Sequence, residues 1–387
     1  LASRILKFFS LIFLFNNQIS AEEGAATNFH FHHTTEITKV FDGGVEKKSE
    51  VIGLADFIYD VDFEKLFGWK GGEFHLHGIG LYGGTPSSSV GDLQITSNIE
   101  ANGETTFKFY ELFLKQQILE NKLSLLFGLS EINSDFNLTD SSVYFINSSF
   151  GVNPEIAISG LNGASTYPTT ALTLGLRSNP MEDIYFNVGL YDGVSGNIND
   201  SKGTQIKIDS SEGYFTIIEG GLFKSDSEMK VGLGYWSYSK KIDALNEVDE
   251  SGESVKKSSS GQYIMFDSGK LWWASLFVRV GFATEKVNKI DQSLAFGLSK
   301  KGLFQDQEKD ILGFGASIAQ FSSHYKKQQA SEGTSIEDHE TALELVYRME
   351  VKENIYIRPD LQYVINPSGS KTIDNAVVGI FRLEVAI

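Results

Sequence analysis

Two histidine pairs are spaced one residue apart, His30-x-His32 and His75-x-His77. On an extended strand such residues share a face, so each pair sets two imidazoles side by side, the start of a Zn²⁺ site. The chain has no Cys, and no further ligand stands at a spacing that completes either set; ordinary polar wall positions account for both pairs equally well. Ser237-x-x-Lys240 matches a penicillin-recognising signature in its letters, but that chemistry needs a helix, and here the pair ends a strand-like segment. The chain lacks a Gly-x-Ser-x-Gly elbow, a phosphate loop with its lysine and a His-Glu-x-x-His pair. Asp60 and Asp62 read as a strand end facing water. These residues imply no catalytic group, no metal and no cofactor.

A second polar set follows a period of two. Glu344, Arg348, Arg358, Asp360, Gln362, Arg382 and Glu384 share the polar parity of three consecutive segments, whose other parity carries residues such as Ile355, Ile357, Leu361, Phe381, Leu383 and Val385. Leu276, Val278, Val280 and Phe282 alternate in the same way around Arg279, and Arg177 stands on an earlier segment. Antiparallel neighbours set such side chains beside one another, which would build a wall of mixed charge offering donors and acceptors to a polar solute. Tyr356 and Trp236 could add flat faces. Singly, each position is equally an ordinary solvated wall residue or a wall ion pair.

Period two means strands with one apolar and one polar face. Strand-like segments fall near 28–40, 48–59, 72–82, 104–118, 122–130, 169–178, 182–192, 211–223, 228–240, 259–268, 271–284, 291–301, 310–321, 339–350, 353–365 and 375–387, about sixteen in all. Short turns at 120–121, 180–181, 225–226, 269–270 and 351–352 alternate with long polar stretches at 131–168, 193–210, 241–258, 322–338 and 366–374. Segments 63–71 and 284–290 break that order. Alternating short turns and long loops is the signature of a transmembrane up-and-down antiparallel β-barrel, all-β in class. Tyr185, Tyr191, Tyr214, Phe223, Tyr235, Trp236, Tyr347 and Tyr363 stand near segment ends, where interfacial aromatic girdles are expected. The longest stretch, with Asp135, Phe136, Asn147 and Phe150, carries apolar residues that ask for packing partners, so it is expected to fold into the lumen as a constriction loop.

Length, 387 residues, does not fix the domain count, but the net charge of −17 excludes a nucleic-acid footprint. Arg4 and Lys7, the apolar run 8–15 and the small pair Ser20-Ala21 form an export signal cleaved after Ala21, leaving 22–387 as one barrel domain. That run is too short to span a bilayer as a helix. A membrane chain of this kind can cross only as a closed sheet.

Glu344-Leu-Val-Tyr347, the run Arg358-Pro-Asp-Leu-Gln-Tyr-Val-Ile-Asn-Pro-Ser-Gly369 and Asn375-Ala-Val-Val-Gly379 resemble the ending of OprB-type carbohydrate-selective porins. Gly71-Gly-Glu-Phe74, Asn147–Gly151, Tyr167-Pro168 and Val188-Gly-Leu-Tyr-Asp-Gly193 extend the likeness over most of the chain. The chain departs from the pattern at Ile387, where relatives carry an aromatic residue, and at Gly302-Leu-Phe304, which lacks a basic residue. The resemblance implies a passive outer-membrane channel, with small sugars and membrane lipid as partners, working as a monomer or homotrimer. A general diffusion porin is the alternative, followed by a non-channel barrel such as an adhesin or lipid hydrolase.

Overall fold

The computed structural model describes residues 25–387 apart from 102, 104, 121, 208, 271, 272 and 304–307. The expected export signal lies outside these residues. Among them run sixteen strands: β1 Thr27–Gly44, β2 Ser49–Asp62, β3 Gly72–Gly83, β4 Thr106–Ile118, β5 Leu123–Ser130, β6 Ala171–Met181, β7 Ile184–Asp192, β8 Tyr214–Lys224, β9 Met229–Val248, β10 Ser254–Asp267, β11 Ser275–Ala283, β12 Ile290–Lys301, β13 Ile311–Phe321, β14 His339–Lys352, β15 Ile355–Ile365 and β16 Asp374–Ala386. Each pairs antiparallel with its chain neighbours, and β1 pairs with β16, from His32↔Ala386 to Gly44↔Asp374, so the sheet closes into a barrel.

Closure explains the alternation. Along β11 to β16 the outward parity holds Phe282, Phe296, Phe314, Leu345, Leu361 and Phe381, all exposed. The inward parity holds Arg279, Glu344, Gln362 and Arg382, all buried. An apolar outside around a polar inside inverts the arrangement of a water-soluble sandwich and matches a wall with lipid outside and water inside. No helix among the described residues is long and apolar enough to cross a membrane; strands do the crossing.

Seven connections at one end, 63–71, 119–122, 182–183, 225–228, 268–274, 302–310 and 353–354, are short. The opposite end carries the long ones, 84–105, 131–170, 193–213 and 322–338. By the usual orientation the short end is periplasmic and the long end external. The stretch 63–71 belongs to the short end; it contains a single-turn helix, Phe63–Phe67, capped by the Asp62 carboxylate on the Glu64 and Lys65 amides.

The expected loop at 241–258 is corrected. Strand β9 continues to Val248 and β10 starts at Ser254, leaving a connection of 249–253. This hairpin runs past the last rungs shared with β8 and β11, where Lys, Asp, Glu and Asn interrupt Ile242, Ala244 and Val248; cross-strand Lys257–Glu247 at 3.4 Å and the neighbouring Lys286–Glu247 at 2.9 Å tie it. The aromatics divide as well. Tyr214, Phe223, Tyr235 and Tyr363 are exposed, as girdle residues should be, whereas Tyr185, Tyr191 and Trp236 point inward and are buried.

The outward apolar face yields a stability test. Leu345 lies mid-strand on β14, beside Phe314 and Leu361 on its neighbours. Leu345→Arg should cost about 2–4 kcal/mol in urea-driven unfolding from lipid vesicles. In detergent-free buffer the mature chain should not stay monodisperse.

Candidate permeation site

A barrel of sixteen strands leaves a lumen wide enough for a water channel, and two connections fill part of it. Segment 131–170 turns inward and is held by side chains of opposite strands. From β8, Glu219 accepts the Asn137 amide at 2.7 Å, together with the Tyr185 and Tyr263 hydroxyls at 2.9 and 2.6 Å. Asp267 at the end of β10 accepts the Ser141 amide and hydroxyl at 2.8 and 2.6 Å. On β11, Arg279 donates to the carbonyls of Asn137, Gly151 and Ser149 at 2.9, 2.7 and 3.0 Å. Glu344 of β14 accepts the consecutive amides of Ile146 and Asn147 at 2.6 and 2.9 Å. Buried charge is costly unless hydrogen-bonded, and buried loop backbone needs partners; here each meets most of the other's need, with Arg279 Nε left without one.

Apolar contacts complete the hold. Phe136 packs in the cluster with Tyr191, Phe215, Trp236 and Met265. Phe145 and Phe150 pack on Phe277, with ring centroids 5.6 and 6.0 Å from it. They lie against a strip of glycine: a Cβ on Gly315 would come within 2.8 Å of Phe145 and 2.9 Å of Phe150. The second connection, 84–105, is held by Glu340 of β14, which accepts the Leu93 and Gln94 amides, both at 2.8 Å. Gln362 of β15 joins both segments, accepting from Asn147 Nδ2 at 3.2 Å and donating to the Thr96 carbonyl at 2.9 Å.

The positions singled out in the sequence therefore fall into two groups. Arg279, Glu344 and Gln362 lie under the loops and hold them, with Asp360 donated to by Gln362 at 3.0 Å; Asp135, Phe136, Asn147 and Phe150 are the loop residues held. Arg177 forms an ion pair with Asp135. Trp236 is fully covered and presents no face to the lumen. The other group is an arginine ladder across β14, β15 and β16. Glu384 accepts Arg358 at 2.7 Å and Arg348 at 3.2 Å, and Arg348 lies 3.6 Å over the Tyr356 ring. Arg382 donates to Glu36 and to Asn98, each at 2.5 Å.

Two of the cavities among the described residues bear on the lumen. One, about 630 Å³, opens among the long connections and is lined by Arg382, Asn98, Glu100, Tyr110, Glu131 and Tyr167. The other, about 380 Å³, lies toward the short turns, lined by Asp60, Glu73, His75, Lys115 and Arg177. The first lies among segments 84–105, 131–170 and 193–213, with Tyr110 of β4 and Arg382 of β16 from the wall, and the second lies against β1 to β6. Glu219, Asp267, Glu340 and Phe145 escaped the reading of the sequence. For the three acids the signal was a lone inward carboxylate on an otherwise small or apolar face, visible only once the parity of each strand is fixed; Phe145, in the loop, had no such signal. Ser237 and Lys240 both sit on β9, without the helix their signature needs.

Glu100 accepts the Ser87 amide at 3.0 Å. Burial, with Glu50 and Glu36 nearby adding repulsion, pushes its carboxyl up to about 7. A carboxylate raised above its unfolded value stabilises the fold most below about pH 4.3, and that contribution is lost as pH rises through 7. Amides of 84–101 should exchange more slowly at pH 5.5 than at pH 8 after correction for intrinsic rates, and Glu100→Gln should flatten the difference. Separately, Arg279→Met strips three loop carbonyls of their donor, a loss of about 3 kcal/mol. Single-channel conductance should rise and become noisier.

Comparison with known proteins places this geometry among porins. The profile described as carbohydrate-selective porin, OprB family, matches residues 47–386. Porin B of Pseudomonas aeruginosa is 23% identical over 408 aligned residues, covering 92% of this chain and 87% of that protein. The high-pH structure of Pseudomonas putida OprB superposes with a TM-score of 0.82 at 20% identity over 94% of each chain. The low-pH structure of the same protein gives 0.59 at 16% identity, over 94% of this chain and 93% of that one.

Proposed function

The chain belongs to the OprB family of carbohydrate-selective porins, and from that premise we propose that sugars pass from the Arg382 cavity among the long connections to the Arg177 cavity against β1 to β6. The protein is a sugar-preferring channel of the bacterial outer membrane, and its barrel and family mark it as a channel rather than an enzyme. The observation that carries the proposed route is the pair of cavities left beside segment 131–170, which Glu219, Asp267, Arg279 and Glu344 hold inside the barrel as the constriction.

On that route Arg382, Asn98 and Glu100 offer donors and acceptors to sugar hydroxyls, while Tyr167 and Tyr110 supply apolar faces. Each arginine is already paired with a carboxylate, so a hydroxyl can share its free donors without meeting an uncompensated charge. That keeps attraction modest, and a permeating solute must be able to leave. At the periplasmic mouth Arg348, Glu384 and Tyr356 repeat the same combination. Small sugars and outer-membrane lipid are the partners of this reading, with the barrel working singly or as a homotrimer. Residues 1–21 serve as the cleaved export signal.

The neutral exchange Arg382→Gln with Glu36→Gln removes the charge-assisted donors and leaves no lone buried ion. In liposome swelling, the glucose rate relative to an uncharged non-sugar solute of similar size should fall roughly tenfold, the equivalent of about 1.4 kcal/mol. Unchanged relative rates for glucose, arabinose and sucrose would favour the general diffusion porin.

A further inference from the structure

We propose that His75, His77 and Glu111 form a binding site for a divalent transition-metal ion, Zn²⁺ foremost, on the lumen wall. The His75-x-His77 spacing supplies two imidazoles on the inward face of β3, and strand register supplies the third ligand. Glu111 on β4 lies directly opposite His77. A register shift follows immediately at Gly78↔Phe109, so the bulged strand turns both Tyr110 and Glu111 inward. Bulges re-aim side chains in this way.

The ligand atoms converge. Glu111 Oε2 is 3.8 Å from His75 Nε2 and 3.7 Å from His77 Nδ1. All three atoms lie within 4.8 Å of one another, and among the described residues this is the one such group of three. Two ligands bound at 2.0–2.1 Å to a tetrahedral ion stand about 3.4 Å apart, so small side-chain rotations close the set.

The surroundings are those of a metal site rather than of a chance meeting. His75 Nδ1 donates to Asp60 at 2.7 Å and His77 Nε2 donates to Asp56 at 2.8 Å. Each imidazole thereby turns its other nitrogen toward Glu111. The Glu111 carboxylate is steadied through its second oxygen, which accepts the Glu131 amide at 3.2 Å. Carboxylate–histidine–metal relays of this kind fix tautomer and ring orientation. Three protein ligands leave a fourth position open to the lumen for water or solute. The two histidine side chains keep 20% and 14% of their surface exposed, so an ion can enter. With His75 lining one cavity and Tyr110 the other, the site sits on the wall between the two.

The donor set selects the ion. Two imidazoles and one carboxylate suit Zn²⁺, Cu²⁺ or Ni²⁺ over Mg²⁺ or Ca²⁺, which prefer oxygen.

The test is equilibrium dialysis of the tag-free, detergent-refolded chain against ZnCl₂, with Co²⁺ absorption as a second readout of coordination. Wild type should hold one equivalent, His77→Asn and Glu111→Gln none at the same free Zn²⁺, and Asp56→Asn should bind about 10- to 100-fold more weakly. His30→Asn should bind like wild type. Heat-modifiable gel mobility shows that each variant is folded; if His77→Asn fails there, Glu111→Gln and Asp56→Asn decide. Equal binding by wild type and these variants, or no binding by wild type, overturns the site. Neither readout depends on sugar flux.

Discussion

Everything in this protein depends on one constraint: a backbone amide or carbonyl facing hydrocarbon has no water to turn to and must be paired within the protein. The sheet answers by closing on itself. The β1–β16 register, from His32↔Ala386 to Gly44↔Asp374, removes the two edges that an open sheet would present to lipid. Once the ring is closed, the alternation of side chains sorts itself. One parity must be apolar for lipid, and the other is free to be polar because it faces an enclosed aqueous space.

That closure creates a second problem, which the loops solve. Sixteen strands enclose more room than a selective passage needs, and loop backbone brought inside must again find partners. Inward carboxylates and an arginine provide them. Glu219, Glu344 and Glu340 each capture loop amides, and Arg279 captures three carbonyls. These groups are distributed unevenly around the ring, along β8 to β15. The cavity toward the short turns and the histidine–carboxylate cluster lie against β1 to β6, and the other cavity opens among the long connections between Tyr110 and Arg382. The same chemistry, carboxylates and arginines on a wall, serves as fastening under the loops and as lining of the passage.

The strands could be read from the chain wherever one face meets lipid, because lipid enforces an apolar parity. Phe381, Leu383 and Val385 against Arg382 and Glu384 is such a case, and the observed β16 follows it. The reading failed where lipid is absent. The hairpin of β9 and β10 past the neighbouring strands interleaves Ile242, Ala244 and Val248 with charged and polar residues and looked like loop. Tyr185, Tyr191 and Trp236 looked like girdle residues, since an aromatic near a strand end has the same letter whether it meets an interface or a loop packed inside. The candidate site was legible only in part. Arg382, Arg358 and Glu384 could be grouped by parity on adjacent strands, but which inward residues a loop would cover depends on contacts more than a hundred residues apart, such as Arg279 with Asn137. Likewise the His75–His77 pair was visible, whereas Glu111 joined it through a bulge that no local pattern announces.

The chain contains no Cys, so single cysteines can be placed at will. Nitroxide labels at Phe314, Leu345, Leu361 and Phe381 and at the inward Arg177, Arg348, Tyr356 and Glu384, in barrels refolded into vesicles, report directly what touches each face. The first four should collide frequently with membrane-dissolved oxygen and scarcely with a water-soluble relaxation agent, while the second four should show little of the oxygen effect. Equal oxygen access on both parities, or ready contact of the first four with the aqueous agent, would contradict the closed wall between lipid and lumen.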